Sequence, residues 1–135
     1  MTATNDDRRL ALVTGTSSGI GAALAPALLE RGWTVIGLAR RAVNLGHPRY
    51  RHVALDLADI GALETAAMQE LEPAISDVGW SRVALVNNAA LSGQSKGLEH
   101  TAPGLLHEML AVNTTAPMFL MGLAARVTPP AVPLR

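Results

Sequence analysis

The chain contains no cysteine and only one lysine, one tyrosine and one phenylalanine in 135 residues. Without thiols there is no disulfide, no thiolate metal site and no cysteine nucleophile, a usage compatible with the reducing cytosol, so the cytoplasm is the expected compartment. Charge of neither sign dominates. The 11 basic and 11 acidic residues cancel, so no long-range field draws the chain to nucleic acid or to an anionic membrane. Apolar runs such as Leu10 to Val13 are far shorter than the ~20 residues of a bilayer-spanning helix. The start, Met1 to Arg9, is polar where an export signal would need an apolar stretch. His47, His52, His100 and His107 lack local carboxylate or histidine partners at metal-ligand spacing. No nucleic-acid partner, membrane or metal is therefore expected.

What remains is 49% hydrophobic and only 16% charged, which suits one domain over residues 1–135 with both faces of a sheet buried. Four short apolar runs read as strands: Leu10 to Thr14, Thr34 to Ala39, His52 to Asp56, and Arg82 to Asn87. Between them lie helical stretches. The first runs from Gly19 to Glu30, stops at Arg31-Gly32 and contains Pro26, which predicts a bend or a first-turn placement. The second is capped by Asp59 and carries Leu63, Ala66, Ala67 and Leu71 at helical spacing. The last spans Leu105 to Ala125, with Leu106, Met109, Leu110, Phe119 and Met121 as its apolar surface. Strands alternating with helices give an α/β class: a Rossmann-type, doubly wound parallel sheet of order 3-2-1-4, with the later strands of such a sheet missing. The fourth strand is expected at an unprotected edge, followed by a proline-rich linker from Thr128 to Pro133, and the end, Pro133-Leu134-Arg135, looks like the approach to a further strand.

The chemistry concentrates where the first strand meets the first helix. Gly15-Thr16-Ser17-Ser18-Gly19-Ile20-Gly21 places three glycines on that turn: Gly15 for its tightness, Gly19 for backbone approach to a pyrophosphate, and Gly21 for close packing of helix on sheet. Free N–H groups at the helix start would face the phosphates, so Gly15, Ser17, Ser18, Gly19, Ile20 and Gly21 are candidate cofactor contacts. The same run fits G-x-S-x-G, a hydrolase nucleophile elbow with Ser17 as nucleophile. That enzyme needs a histidine after a later strand, and neither His100 nor His107 follows one.

Three further features resemble the short-chain dehydrogenase/reductase family. Asn87-Asn88-Ala89-Ala90 is similar to its Asn-Asn-Ala-Gly motif, which implies that Asn87, Asn88 and Ala89 line the adenosine side of a cofactor and tie the central strands together. Ala90 departs from the pattern by one methyl. Asp56-Leu57 resembles the acidic position that accepts a hydrogen bond from the adenine amino group; a helix N-cap is the other role for Asp56 and is compatible with the first, and its place at a strand end on the ligand edge favours cofactor contact. Asn113, in the run Leu110 to Thr114, matches the asparagine that bends the last helix and holds a water in the proton relay, the one catalytic candidate. Arg40 and Arg41 follow the second strand where an NAD enzyme keeps an acid, so the implied cofactor is NADP, with a guanidinium on its 2′-phosphate. Ala22 to Pro26 and Ser95-Lys96-Gly97 look most like the branch of sepiapterin reductase and bacterial benzil reductase.

The resemblance implies hydride transfer between NADPH and a ketone or diketone carbonyl, in a full-length homo-oligomer. The family commonly associates through the last helix, where Met118, Phe119 and Met121 read as core or as subunit surface. It also requires Ser and Tyr-x-x-x-Lys, which are absent here: Tyr50 has Ala54 four residues on, and Lys96 has Ser92 four residues before. Two hypotheses follow: the cofactor half of a reductase, without turnover by itself, or a non-catalytic nucleotide-binding or interaction module.

Overall fold

The computed structural model describes residues 7–93 and 97–135; Ser95 and Lys96 of the branch-specific match lie outside them. Strand β1 (Arg9–Thr14) is central. It pairs in parallel with β2 (Trp33–Ala39) on one side and β4 (Arg82–Val86) on the other, and β2 pairs with β3 (Tyr50–Ala54). The order is β3-β2-β1-β4, as the alternation predicts.

Alternation along β1 explains both layers. Leu10 and Leu12 point to one face and meet Leu63, Leu71, Ile75, Leu120 and Leu123, whereas Ala11 and Val13 point to the other and meet Ala25 and Leu29. The second face belongs to α1 (Gly19–Glu30). The first belongs to α2, residues 60–75, and to α3 (Pro103–Val127). A parallel sheet needs such cover on both faces because its strands are apolar throughout.

Several boundaries and faces differ from expectation. β3 starts and ends two residues earlier, which releases Leu55 and Asp56 into the loop above the sheet. Asp59 caps α2, its Oδ1 accepting from the Ala62 N–H at 3.0 Å. Asp56 does not; its Oδ1 accepts from Ala58 N–H at 2.9 Å and shapes the loop before the cap. β4 is not bare: Val83 donates to the Pro133 carbonyl at 3.0 Å, Arg135 to Val83 at 3.0 Å and Leu85 to Arg135 at 2.9 Å. The segment expected to be a linker therefore ends by pairing with the sheet.

Both long helices widen to π geometry for five residues, Ala67–Leu71 in α2 and Ala111–Thr115 in α3. The cause is the same in each. Pro73 and Pro117 have no N–H for the carbonyls of Gln69 and Asn113, four residues before, so the α pattern breaks at those turns. Pro26 lies inside α1 without such a widening. The inner face of α3 is Ala111, Ala116, Leu120, Leu123 and Ala124; the expected apolar surface, Leu110, Phe119 and Met121, with Met118, turns outward instead. At 25 residues α3 is also long and apolar enough to cross a bilayer, which no uninterrupted run in the sequence suggested. Its inner side chains are packed on the sheet, and His107, Glu108, Asn113 and Arg126 interrupt it.

Candidate functional site

At the end of β1 the chain reverses through Gly15 (φ 75°) and Gly19 (φ 55°), left-handed conformations that favour glycine. Ser18 occupies the N-cap of α1 but makes no side-chain cap bond, and the first turn has no acid. Its N–H groups are thus open to an anion at the positive end of the helix. Gly21 lies just beneath. A methyl built there would overlap the Gly15 carbonyl oxygen and sit 2.6 Å from Asn88 Nδ2, whereas one on Gly19 meets nothing within 4 Å. Gly21 therefore sets the depth of the turn, and Gly19 keeps its open side clear.

The end of β4 is stitched to this turn. Thr14 Oγ1 accepts from the N–H groups of Asn88 (3.0 Å) and Ala89 (2.9 Å), and Asn88 Nδ2 donates to the carbonyls of Thr14 (3.0 Å) and Gly15 (3.3 Å). Asn88 makes the tie between central strands. Asn87 is exposed.

Beyond it, the loop after β4 is held by α3. Asn113 Oδ1 accepts from Leu91 N–H and its Nδ2 donates to the Leu91 carbonyl, both at 2.8 Å. Asn113 lies in the π-widened turn Ala111–Thr115, four residues before Pro117. Asn113→Ala removes both bonds, so we expect a stability loss of about 1–2 kcal/mol. Hydrogen exchange at the Leu91 amide checks it: faster exchange there, with β1 amides unchanged, is the expected result.

These walls enclose an open cavity of about 620 Å³ above the carboxyl ends of the strands. That is ample for a cofactor-sized ligand and lies where such sheets bind one. Of the candidates, Gly15, Ser17, Ser18 and Ile20 line it from the turn, and Arg40 and Arg41 from the end of β2. Asp56 and Leu57 line it from the loop after β3, and Asn88 and Ala89 from the loop after β4. Gly19, Gly21, Asn87 and Asn113 do not line it; Gly21 and Asn113 act behind the wall. The four histidines and Tyr50 are not among the lining residues, which leaves Ser17 without the partner a nucleophile elbow needs.

Sequence reasoning missed part of the lining. Leu38 and Leu55 provide apolar floor, and Leu91 joins the wall through Asn113. Glu108 and Val112 reach the cavity from α3. Their spacing of four puts them on one helical face, a signal that was present once Asn113 had marked the helix.

The cradle fits the diphosphate of a dinucleotide: it offers open backbone donors, a glycine with clear space above it and two guanidinium groups at the far rim. Residues 9–128 match the family described as short chain dehydrogenase. The chain belongs to the short-chain dehydrogenase family. Among short-chain dehydrogenases, the benzil reductase ((S)-benzoin forming) of Bacillus cereus is 33% identical over 120 residues, spanning 83% of this chain and 47% of that protein. The crystal structure of a family member from Burkholderia vietnamiensis superposes with a TM-score of 0.87 at 30% identity, covering 95% of this chain and 63% of that one. An oxidoreductase of the family from Brucella ovis, in complex with a partially ordered NAD, superposes with a TM-score of 0.72 at 28% identity, covering 90% and 57%. The chain spans about half the length of the curated short-chain dehydrogenases it matches.

Proposed function

We propose that this chain is the NADP(H)-binding half of a carbonyl reductase. The observation that carries the reading is the end of β2. Arg40 and Arg41 line the cavity there, both exposed and neither ion-paired among the described residues, where an NAD site would present a carboxylate to the ribose 2′-hydroxyl. A guanidinium in that place favours a 2′-phosphate through charge-assisted hydrogen bonds. The open N–H groups of the first turn of α1 would hold the diphosphate. Asp56 would accept from the adenine amino group, and Asn88 would keep the turn at its depth.

When bound, the dihydronicotinamide supplies a hydride for a carbonyl carbon. The likeness to a benzil reductase supports a ketone or diketone as acceptor. The residues of this chain bind and orient the cofactor, and Asn113 fixes the loop beside it. The Tyr-x-x-x-Lys pair that the family uses to deliver the proton is not among the 135 residues, so the chain alone is expected to bind NADPH without oxidising it in the presence of ketones. A second copy of the protein is the further partner in this reading, supported by the outward Leu110, Met118 and Met121 of α3.

Arg40→Glu tests the cofactor preference. It puts a carboxylate where the 2′-phosphate is proposed to lie, so NADPH affinity should fall about 10- to 100-fold while NADH affinity holds or rises. Titration calorimetry with both nucleotides reads the ratio. Equal affinities for NADPH and NADH before and after the substitution would overturn the preference.

A further inference from the structure

Around Gly37, in the middle of β2, three polar side chains stand without hydrogen-bond partners among the described residues: Thr16 Oγ1, the Tyr50 hydroxyl and both ring nitrogens of His52. They lie toward the α1 face, near the apolar cluster of Ala11, Val13, Ala25, Leu29 and Val35. Thr16 is 1% exposed and comes from the glycine-rich turn; Tyr50 opens β3; His52 is the register partner of Gly37. A methyl built on Gly37 would overlap the Tyr50 hydroxyl and lie 2.8 Å from Thr16 Oγ1. The two hydroxyls therefore converge on the notch left by the missing side chain.

Burying a hydroxyl without a partner is unfavourable, and two such groups facing one notch are each other's nearest means of relief, by a small shift into direct contact or through a single water. The position of Thr16 gives this link a consequence. On one side of it the Gly15 N–H donates to the Leu38 carbonyl at 2.8 Å, and on the other Ser17 lines the cavity. A bond to Thr16 thus holds the turn from beneath, opposite the side that faces a ligand.

We propose that Tyr50 is a positioning residue for the glycine-rich turn, acting through Thr16 across the notch over Gly37. Its hydroxyl fixes the height of the Gly15 to Ser18 backbone, and with it the donors offered to an anionic ligand. The effect on affinity rests on the reading of the cavity as an NADP(H) site; the effect on the turn does not.

A double-substitution cycle in the 135-residue chain tests this, with Tyr50→Phe, Thr16→Val and the pair, all close to isosteric. Two readouts are taken: hydrogen exchange at the Gly15 amide in the free chain, and NADPH affinity by calorimetry. Each single change should speed Gly15 exchange about three- to tenfold, the value of one hydrogen bond. The double change should be no faster than the worse single, because both remove the same link. Exchange at Leu12, in the core of β1, should not move, and NADPH affinity should fall by a similar factor. Unchanged Gly15 exchange in Tyr50→Phe, additive effects in the pair, or a matching rise at Leu12 would overturn the proposal. If the unsubstituted chain fails to bind NADPH, the nucleotide reading falls, and the exchange cycle still decides whether Tyr50 holds the turn.

Discussion

Gly21→Ala is expected to abolish measurable NADPH binding and to lower stability by about 2–3 kcal/mol, an overpacking cost. The added methyl has nowhere to go. It would overlap the Gly15 carbonyl oxygen, with Asn88 Nδ2 at 2.6 Å and the Gly15 carbonyl carbon at 2.8 Å on the same side. Two of these three atoms are backbone, so relief requires moving the turn itself. Gly15 is confined in its turn by Ala89, whose Cα lies 2.9 Å from a methyl built on Gly15. A displacement of about 1 Å at a positioning element can cost on the order of 100-fold in function. Thermal unfolding should show a drop of roughly 10 °C. Gly19→Ala is the contrasting variant, because its methyl meets no protein atom within 4 Å and its strain is only that of a left-handed alanine. It should cost about 1 kcal/mol, with a much smaller loss of nucleotide affinity than Gly21→Ala. Equal stability losses in the two variants would contradict the division of labour between these glycines.

Thr14→Val is an isosteric change with an expected loss of about 1–3 kcal/mol in urea unfolding. The shape is kept while the acceptor is lost. Thr14 is 1% exposed, and its Oγ1 receives two N–H groups, those of Asn88 and Ala89. Valine removes that acceptor from both amides; the Asn88 N–H keeps its 3.1 Å bond to the Val86 carbonyl, whereas the Ala89 N–H loses its acceptor, and an unsatisfied donor away from water costs about 1–3 kcal/mol. Thr14→Ser retains the oxygen and gives up one methyl, for about 1 kcal/mol. Exchange at the Asn88 and Ala89 amides should accelerate in the valine variant and hardly at all in the serine variant. Indistinguishable behaviour of the two would show that the hydroxyl is not what joins β1 to β4.

Much of this was legible in the sequence because it rests on local chemistry. Apolar runs ending in glycine defined β1 and its turn, and the alternation of strands with helices led to the observed sheet order. The cavity gathers Ser17, Ser18, Arg40, Asp56 and Asn88 from four segments, each marked by its place at a strand end. What escaped is what depends on packing direction or on backbone partners. Leu110 and Met121 share hydrophobicity with Leu120 and Leu123, and a five-residue wide turn shifts the helical phase, so composition alone left open which face of the helix meets the core. Asp59 was legible as the cap of α2, whereas the early end of β3, which leaves Asp56 to shape the loop before that cap, was not. Pro133-Leu134-Arg135 was legible as the approach to a further strand, and it does pair in parallel with β4; what escaped is that this short segment covers the edge expected to be bare.

The grip of Asn113 on Leu91 has a wider meaning. A side-chain amide has the same donor and acceptor as a peptide group, and here it offers both to one residue, as a neighbouring strand would. Leu91 is thus recognised through its main chain alone. Any residue but proline could stand at position 91 and be held at the same height, whereas aspartate or leucine at 113 would lose one or both contacts. The cavity wall can therefore vary its chemistry at position 91 to suit different ligands, while its distance from the helix stays fixed by the length of a single asparagine.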